Sequence, residues 1–424
     1  MRKKTILSLV LATVMLATSA CFALIPGFLT GTLPWISAGQ TAKAETAVGQ
    51  TSGELVTISR EEYERLKKFS DLQELIDAAN LYYYQDVDEQ KMLDMAAKGL
   101  LSGLGDPYTF YYTAKEFEQM WKDDEGNYTG IGVLINANYK TQICTISRVF
   151  NGSPAQDAGV LRGDILYRVG EDLYVTADNL TEAVNIMRGI PGTDVDVTFL
   201  RNGEEITFTI TRREIQVNQV ESTLLEDNIG YIAFYEFAGK SEIEFETALN
   251  ALIEKGVKGI ILDLRDNPGG WVEQARYVAD LFMDASEVCY LVYKNGEEVH
   301  SEYMTKDGRV DLPLVVLINE NSASSSEILT IALKERADAT VVGVKSFGKG
   351  IIQGVMSVGN AGAGFQMTVA EYFSPDGTKI HQVGITPDVE VPLEEGDNGM
   401  YDFADGEKDP QLKKAIEVMQ EKLK

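Results

Sequence analysis

Histidine is nearly missing from this sequence: 424 residues hold two, His300 and His381. His300 falls in a polar, hairpin-like stretch beside Lys294-Asn295-Gly296-Glu297-Glu298, and His381 follows a Pro375-Asp376-Gly377 turn. Neither is placed to activate a nucleophile, and no Gly-Asp-Ser-Gly turn occurs, so a trypsin-like enzyme is excluded. Cysteine is almost as scarce, at Cys21, Cys144 and Cys289. Three cysteines make no disulfide framework. Cys144 and Cys289 lie in apolar, strand-like runs and read as buried free thiols. No cysteine–histidine cluster has zinc spacing, so no metal site is expected. Positive charge is short too. With 38 Lys and Arg against 65 Asp and Glu the net charge is −27, which excludes nucleic acid as a partner and favours a soluble, self-repelling surface. Repeats and low-complexity tracts are absent beyond the leader and linker.

What is present reads as several units, since the length exceeds one typical domain. Residues 1–44 form a signal peptide or membrane anchor: Arg2-Lys3-Lys4, a nearly continuous apolar run over 5–25, then Ala42-Lys43-Ala44 in the small-x-small form of a cleavage site. The run is long enough to span a bilayer, so a cleaved signal and a retained anchor both stay open. A lipoprotein at Cys21 is disfavoured by Thr18, where a larger apolar residue is usual. Either way the body is exported, to the outer face of the cell membrane or beyond it. Residues 45–115 read as a linker and amphipathic helices over 59–79 and 88–101, closed by the turn Gly103-Leu104-Gly105-Asp106-Pro107-Tyr108. Residues 116–213 and 214–395 make two further units. The last, 396–424, carries a charged amphipathic helix over 410–424, either a solvated tail or a subunit contact.

The chain is organised around residues 319–353. An apolar strand over 312–318 breaks into Ser322-Ala323-Ser324-Ser325-Ser326, and a helix is expected from Glu327. A hydroxyl at a helix start meets unpaired N–H groups and a positive dipole, a good seat for a nucleophile whose reaction develops an oxyanion. Ser324 and Glu327 also have capping-box spacing, which by itself is the commoner use of such a serine. If Ser324 is a nucleophile, its base has to be something other than histidine. Lys349, flanked by glycines in Phe347-Gly348-Lys349-Gly350, can pack closely enough to lose water and accept a proton near neutral pH.

The run Asn319-Glu320-Asn321-Ser322-Ala323-Ser324-Ser325-Ser326-Glu327, followed by Phe347-Gly348-Lys349-Gly350 and Gln353, resembles the carboxyl-terminal processing, or tail-specific, serine proteases. The resemblance extends from about Leu55 to the C-terminus. It implies an α/β multidomain protein with a crotonase/ClpP-like αβ protease core over 214–395. It also implies a Ser–Lys dyad, with Ser324 as nucleophile, Lys349 as general base and Gln353 orienting the lysine. The family more often has alanine at position 325; Ser325 differs in side chain and keeps the backbone N–H. Lys349 and Gln353 lie roughly 13 Å apart by strand rise, so their contact requires a bend at Gly350. The turn Asp266-Asn267-Pro268-Gly269-Gly270, between a buried strand and a helix, is a common structural connection. In the family it supplies an oxyanion hole together with the N–H of residue 325; whether Gly269 or Gly270 donates is open.

Gly130-Ile131-Gly132-Val133, then Gly152-Ser153-Pro154-Ala155, a Gly163-Asp164 pair, a helix over 178–188 and a hairpin over 195–210 resemble a PDZ domain, a β-sandwich-like barrel with helices. Isoleucine at 135, where a third glycine would be needed, rules out a dinucleotide fingerprint. The PDZ resemblance implies that the N–H groups of Ile131, Gly132 and Val133 take a terminal carboxylate while Leu180 and Val184 line an apolar pocket. Together these imply an exported endopeptidase, without cofactor, for proteins with apolar C-termini, with a homodimer implied by family members that pair through terminal helices. The alternative is a catalytically silent PDZ-type scaffold, which predicts loss of the serine or the lysine; a crotonase-type thioester enzyme would not need the pair.

Overall fold

The computed structural model describes residues 57–124, 127–138, 141–306, 310–359, 362–394, 399, 401 and 403–424. The leader at 1–44, with Cys21 and the signal-or-anchor question, lies outside the described residues, as does the linker to residue 56. No helix among the described residues is long and apolar enough to cross a membrane.

The chain divides into two units, Met1–Tyr83 and Tyr84–Lys424. The described part of the first holds two helices, Arg60–Lys67 and Ser70–Tyr82, where one was expected. Ser59 caps the first by accepting the N–H of Glu62 at 3.1 Å. It ends where Lys68 and Phe69 bond back to Arg65 and Leu66, a tightened turn after which a new helix begins.

The larger unit is built on a six-stranded sheet in the order Val220–Leu224, Ile229–Phe234, Gly259–Asp263, Leu314–Ile318, Thr340–Gly343 and Val389–Glu390, parallel except for its first pair. Its inner strands are continuous apolar runs because both faces are covered. Alternate residues serve opposite cores. Ile232, Leu262, Val316 and Val341 face helices Ser241–Glu254, Val272–Asp280 and Ser325–Arg336. Tyr231, Ile261, Leu317 and Val342 face the last helix, Pro410–Lys422, through Leu412, Ala415 and Met419. That helix is therefore neither a solvated tail nor a free subunit contact. It closes one face of the sheet, and a Cβ on Gly259 would lie 2.3 Å from the Met419 sulfur.

A second, antiparallel sheet contributes to the first of these cores: Phe110–Tyr112, Ala363–Phe373, Glu287–Tyr293 and Glu298–Met304, with Ile351–Val358 also on Ala363–Phe373. The short strand Phe110–Tyr112 and the helix Ala114–Asp124 had no counterpart in the sequence reading, and they join the segment before residue 125 to this sheet.

Residues 133–211 form a separate sheet, Val133–Asn138, Ile143–Val149, Ile165–Val169, Asp194–Arg201 and Glu204–Thr211, around a core that includes Ile146, Leu166, Val197 and Phe199. Helices Pro154–Ala158 and Leu180–Met187 complete it. The expected hairpin turns at Asn202-Gly203, both at positive φ (54° and 84°), as a two-residue turn between right-twisted strands requires. Cys144 and Cys289 are free and buried, as expected.

Candidate active site

Strand Leu314–Ile318 ends just before the serine cluster, and helix Ser325–Arg336 begins inside it. Three of the four serine hydroxyls donate to carbonyls of the neighbouring strand and turn: Ser322 to Leu264 at 2.7 Å, Ser326 to Asn267 at 3.0 Å and Ser325 to Gly270 at 2.7 Å. Ser324 is the exception. It is half-buried, at φ 56° and ψ −118°, a conformation that a side chain tolerates only when its surroundings impose it. The N–H of Glu327 already bonds the carbonyl of Ser324 at 2.8 Å, so the helix does not depend on the Ser324 hydroxyl as a cap.

Glu327, fully buried, does far more than close a capping box. One carboxylate oxygen accepts from the Ser346 hydroxyl (2.5 Å) and the Gly348 N–H (2.8 Å). The other accepts the backbone N–H of Ser324 (3.0 Å) and of Lys349 (2.8 Å). Burial pushes its pKa above the ordinary carboxylate range, against the pull of those four bonds. The buried Tyr372 hydroxyl lies 3.2 Å from the carbonyl oxygen of Ser324 and 2.7 Å from that of Lys349. Two buried side chains thus hold both backbones at once.

The glycine turn packs against the same point. A Cβ on Gly269 (φ 102°) would meet Ala323 O at 2.7 Å, Ser324 Cβ at 2.8 Å and Ser325 N at 2.9 Å. Only glycine fits there. The Gly269 N–H is already used, donating to Asn267 Oδ1 at 2.9 Å. The N–H groups of Gly270 and Ser325 have no acceptor among the described residues, which leaves Gly270 as the open donor of the pair.

Lys349 Nζ does not reach Ser324 by a hydrogen bond; it lies 4.4 Å from the centre of the Tyr108 ring. Burial lowers the lysine's pKa from the usual range, opposed by the charges of Asp106 and then Glu327. Asp106 is itself fixed by the Tyr108 N–H (3.0 Å) and the Thr109 hydroxyl (2.6 Å). Gln353 makes no hydrogen bond to Lys349. Its amide donates to Thr368 (3.2 Å) and the carbonyl of Ile351 (3.5 Å), beside a register shift between Ile352 and Gln353. Gly350 sits tightly against His381, whose backbone N would be 2.2 Å from an added Cβ.

In the separate sheet, a cleft of about 220 Å³ runs along Gly130–Ile135 and the helix Leu180–Met187. The N–H groups of Ile131 and Gly132 have no acceptor among the described residues, whereas that of Val133 lies against the Tyr128 phenol. Val133–Asn138 is an edge strand, open to another strand. Val184 lines the cleft, joined by Met187; Leu180 does not, and packs on the module core instead. The helix begins at Leu180, so the cleft follows its later turn.

The model for peptidase family S41 matches residues 228–391, and that for the activating protease CtpB N-terminal domain matches 29–116. The chain is 35% identical over 330 residues to carboxy-terminal processing protease CtpA of Bacillus subtilis (strain 168), covering 77% of this chain and 69% of that one. It is 34% identical over 358 residues to the carboxy-terminal-processing protease of Bartonella bacilliformis, covering 81% and 79%. The chain belongs to peptidase family S41. Among solved structures it resembles a photosystem II D1 C-terminal processing protease, with a TM-score of 0.53, 25% identity and 79% and 94% of the two chains covered. It is a serine endopeptidase of the carboxy-terminal processing group, with the S41 fold in its core.

At this site the sequence pattern does not reveal Tyr372 of the S41 core, Tyr108 of the preceding segment or the wider work of Glu327. The Ser-x-x-Glu spacing flagged Glu327 but exposed only its local half. Tyr372 lies in an ordinary strand pattern, and nothing local marks a tyrosine whose hydroxyl will reach two distant carbonyls.

Proposed function

We propose that this chain is an exported serine endopeptidase that captures proteins by apolar C-terminal tails. Ser324 Oγ attacks the scissile carbonyl carbon while the neutral Lys349 amine takes the hydroxyl proton. The N–H groups of Gly270 and Ser325 receive the oxyanion. The intermediate collapses with cleavage of the C–N bond, and Lys349 returns its proton to the leaving amine. Water, deprotonated by Lys349, then hydrolyses the acyl ester and frees Ser324. Lys349 has to leave Tyr108 and approach Oγ for the first step, and Gln353 orients it in that working state. No cofactor is required. The observation that carries this reading is the shared clamp of Glu327 and Tyr372 on Ser324 and Lys349, beside two open N–H donors.

The unit over 116–213 is read as a PDZ domain. A tail carboxylate would sit on the Ile131 and Gly132 N–H groups, with the tail paired to Val133–Asn138 and its last side chain against Val184 and Met187. Occupancy of that cleft is read as biasing the core between resting and working states. On this reading the leader sends the enzyme outside the cytoplasmic membrane, anchored through residues 5–25 or released, and a homodimer belongs to the same reading. The lack of a hydrogen bond between Lys349 and Ser324 favours a second reading, in which the endopeptidase at rest is only a tail-binding scaffold.

One experiment separates them: cleavage of an unfolded reporter with an apolar free C-terminus by protein lacking residues 1–44, and by its Lys349→Ala variant, across pH. A rate that rises through a lowered lysine pKa and vanishes in the variant supports the dyad. Equal cleavage by both places the base elsewhere. Tail binding without cleavage supports the scaffold.

A further inference from the structure

The serine cluster carries more hydroxyls than a nucleophile and a cap require, and their destinations form a pattern. Ser322, Ser326 and Ser325 donate in turn to Leu264, Asn267 and Gly270, so they join the start of the nucleophile's helix to successive points on the segment that ends in the glycine turn. The last of these lies next to the open N–H. Ser325 is fully buried, and its hydroxyl bonds the Gly270 carbonyl at 2.7 Å.

Two consecutive glycines at φ 102° and 132° make a turn whose peptide planes are free to rotate unless something holds them. Besides the Asn267 side chain, which accepts the Gly269 N–H, three bonds hold the turn, and two of them come from Phe237. Its N–H bonds the Gly269 carbonyl at 2.8 Å, and its carbonyl accepts the Trp271 N–H at 2.9 Å. The third is the Ser325 hydroxyl, which reaches the Gly270–Trp271 peptide from the side opposite Phe237's bond to the same unit. It also ties that peptide directly to the residue that supplies the other open N–H.

We propose that Ser325 acts through its side chain as a positioning residue, its hydroxyl holding the Gly270 carbonyl so that the Gly270 and Ser325 N–H groups converge on one oxyanion. This rests on the reading of those two N–H groups as the oxyanion hole. A donor gains its catalytic value from being oriented before the charge develops. Loss of the tether therefore weakens binding of the transition state and leaves substrate binding alone.

The test uses the full chain, with Ser325→Ala to delete the hydroxyl, Ser325→Cys to replace it with a weaker donor, and Ser324→Ala as the inert reference. Steady-state cleavage is measured with affinity for a peptide aldehyde, whose tetrahedral adduct needs the oxyanion hole. In Ser325→Ala, kcat and aldehyde affinity are expected to fall together by about tenfold with KM nearly unchanged. Ser325→Cys should lie between the parent and Ser325→Ala. Unchanged kcat and aldehyde affinity in Ser325→Ala, with an active parent, overturn the role of Ser325 and leave the dyad intact. A fall in melting temperature with KM and kcat moving together would make the hydroxyl merely structural, and also overturns it. An inert parent overturns the oxyanion-hole reading itself and this inference with it.

Discussion

Ser324 and Lys349 share both of their backbone anchors: Glu327 Oε2 accepts an N–H from each, at 3.0 and 2.8 Å, and the Tyr372 hydroxyl lies 3.2 and 2.7 Å from their carbonyl oxygens. The separation of the two segments, one following Leu314–Ile318 and the other Thr340–Gly343, is thereby set by groups that are not themselves reactive. Tyr372→Phe keeps the ring and removes only the hydroxyl. It is expected to cost about 1–3 kcal/mol of stability, because buried carbonyls lose their donor, and to lower kcat as the loops separate. Urea denaturation checks the first part: a lower midpoint with an unchanged slope is expected. A variant with parental kcat would show that the clamp does not govern the site.

Lys349 sets the pH behaviour, and its sign follows from its lowered pKa. Burial makes the folded lysine give up its proton at a lower pH than the unfolded one does. Between the two values the unfolded state binds more protons, so stability rises with pH; the contribution is full above the unfolded pKa and is lost as pH falls through the folded one. Lys349→Met should therefore match or exceed the parent's stability at neutral pH, with the difference narrowing in alkali. For catalysis, burial pulls the lysine's pKa down and the Asp106 charge, more than that of Glu327, holds it up. Asp106→Asn should move the acid limb of the kcat/KM profile to lower pH. A move to higher pH would contradict this electrostatic account.

The parts of the fold legible from sequence are those whose signal is local. Ile229–Phe234, Gly259–Asp263 and Leu314–Ile318 announce themselves as continuous apolar runs because parallel strands are buried on both faces. Phe110–Tyr112 is three residues long and exists only because Ala363–Phe373 arrives beside it, so no local pattern marks it. The last helix carried a readable stripe in Leu412, Ala415, Val418 and Met419, which its surrounding charge disguised as a surface helix. At the site, residue types and spacing pointed to Ser324 and Lys349, and the family resemblance to the glycine turn. They were silent on which glycine N–H is open, because that depends on where the Asn267 side chain points.

The glycine turn gives a sharper test of geometry than of composition. Gly270→Ala would put its Cβ 2.1 Å from the Phe237 carbonyl oxygen at a φ of 132°. Gly269→Ala would press on Ser324 and Ser325 instead. Both are expected to reduce kcat by about 100-fold or more if an oxyanion donor is displaced, while circular dichroism shows a folded chain. Near-parental turnover in either would mean that the turn relaxes without moving its N–H groups.

The last prediction concerns the helix that the sequence made look dispensable. Arg265, just before the glycine turn, is partly buried between Asp263 (2.6 Å) and Asp409 (2.7 Å), and also donates to Gln411 at 3.1 Å. Asp409 in turn caps the final helix through the N–H groups of Gln411 and Leu412. Burial works against the guanidinium charge, but the two carboxylates more than compensate and hold its pKa well above the usual value. Removing one partner leaves the others charged and without water. Arg265→Met is therefore expected to destabilise the chain by about 3–5 kcal/mol, more than loss of an exposed ion pair would. Hydrogen exchange should show the loss first in Pro410–Lys422, which rests on this contact and on the apolar face of the sheet. If protection there is unchanged while stability falls, the helix is held by its apolar stripe alone and Arg265 acts only on the turn that follows it.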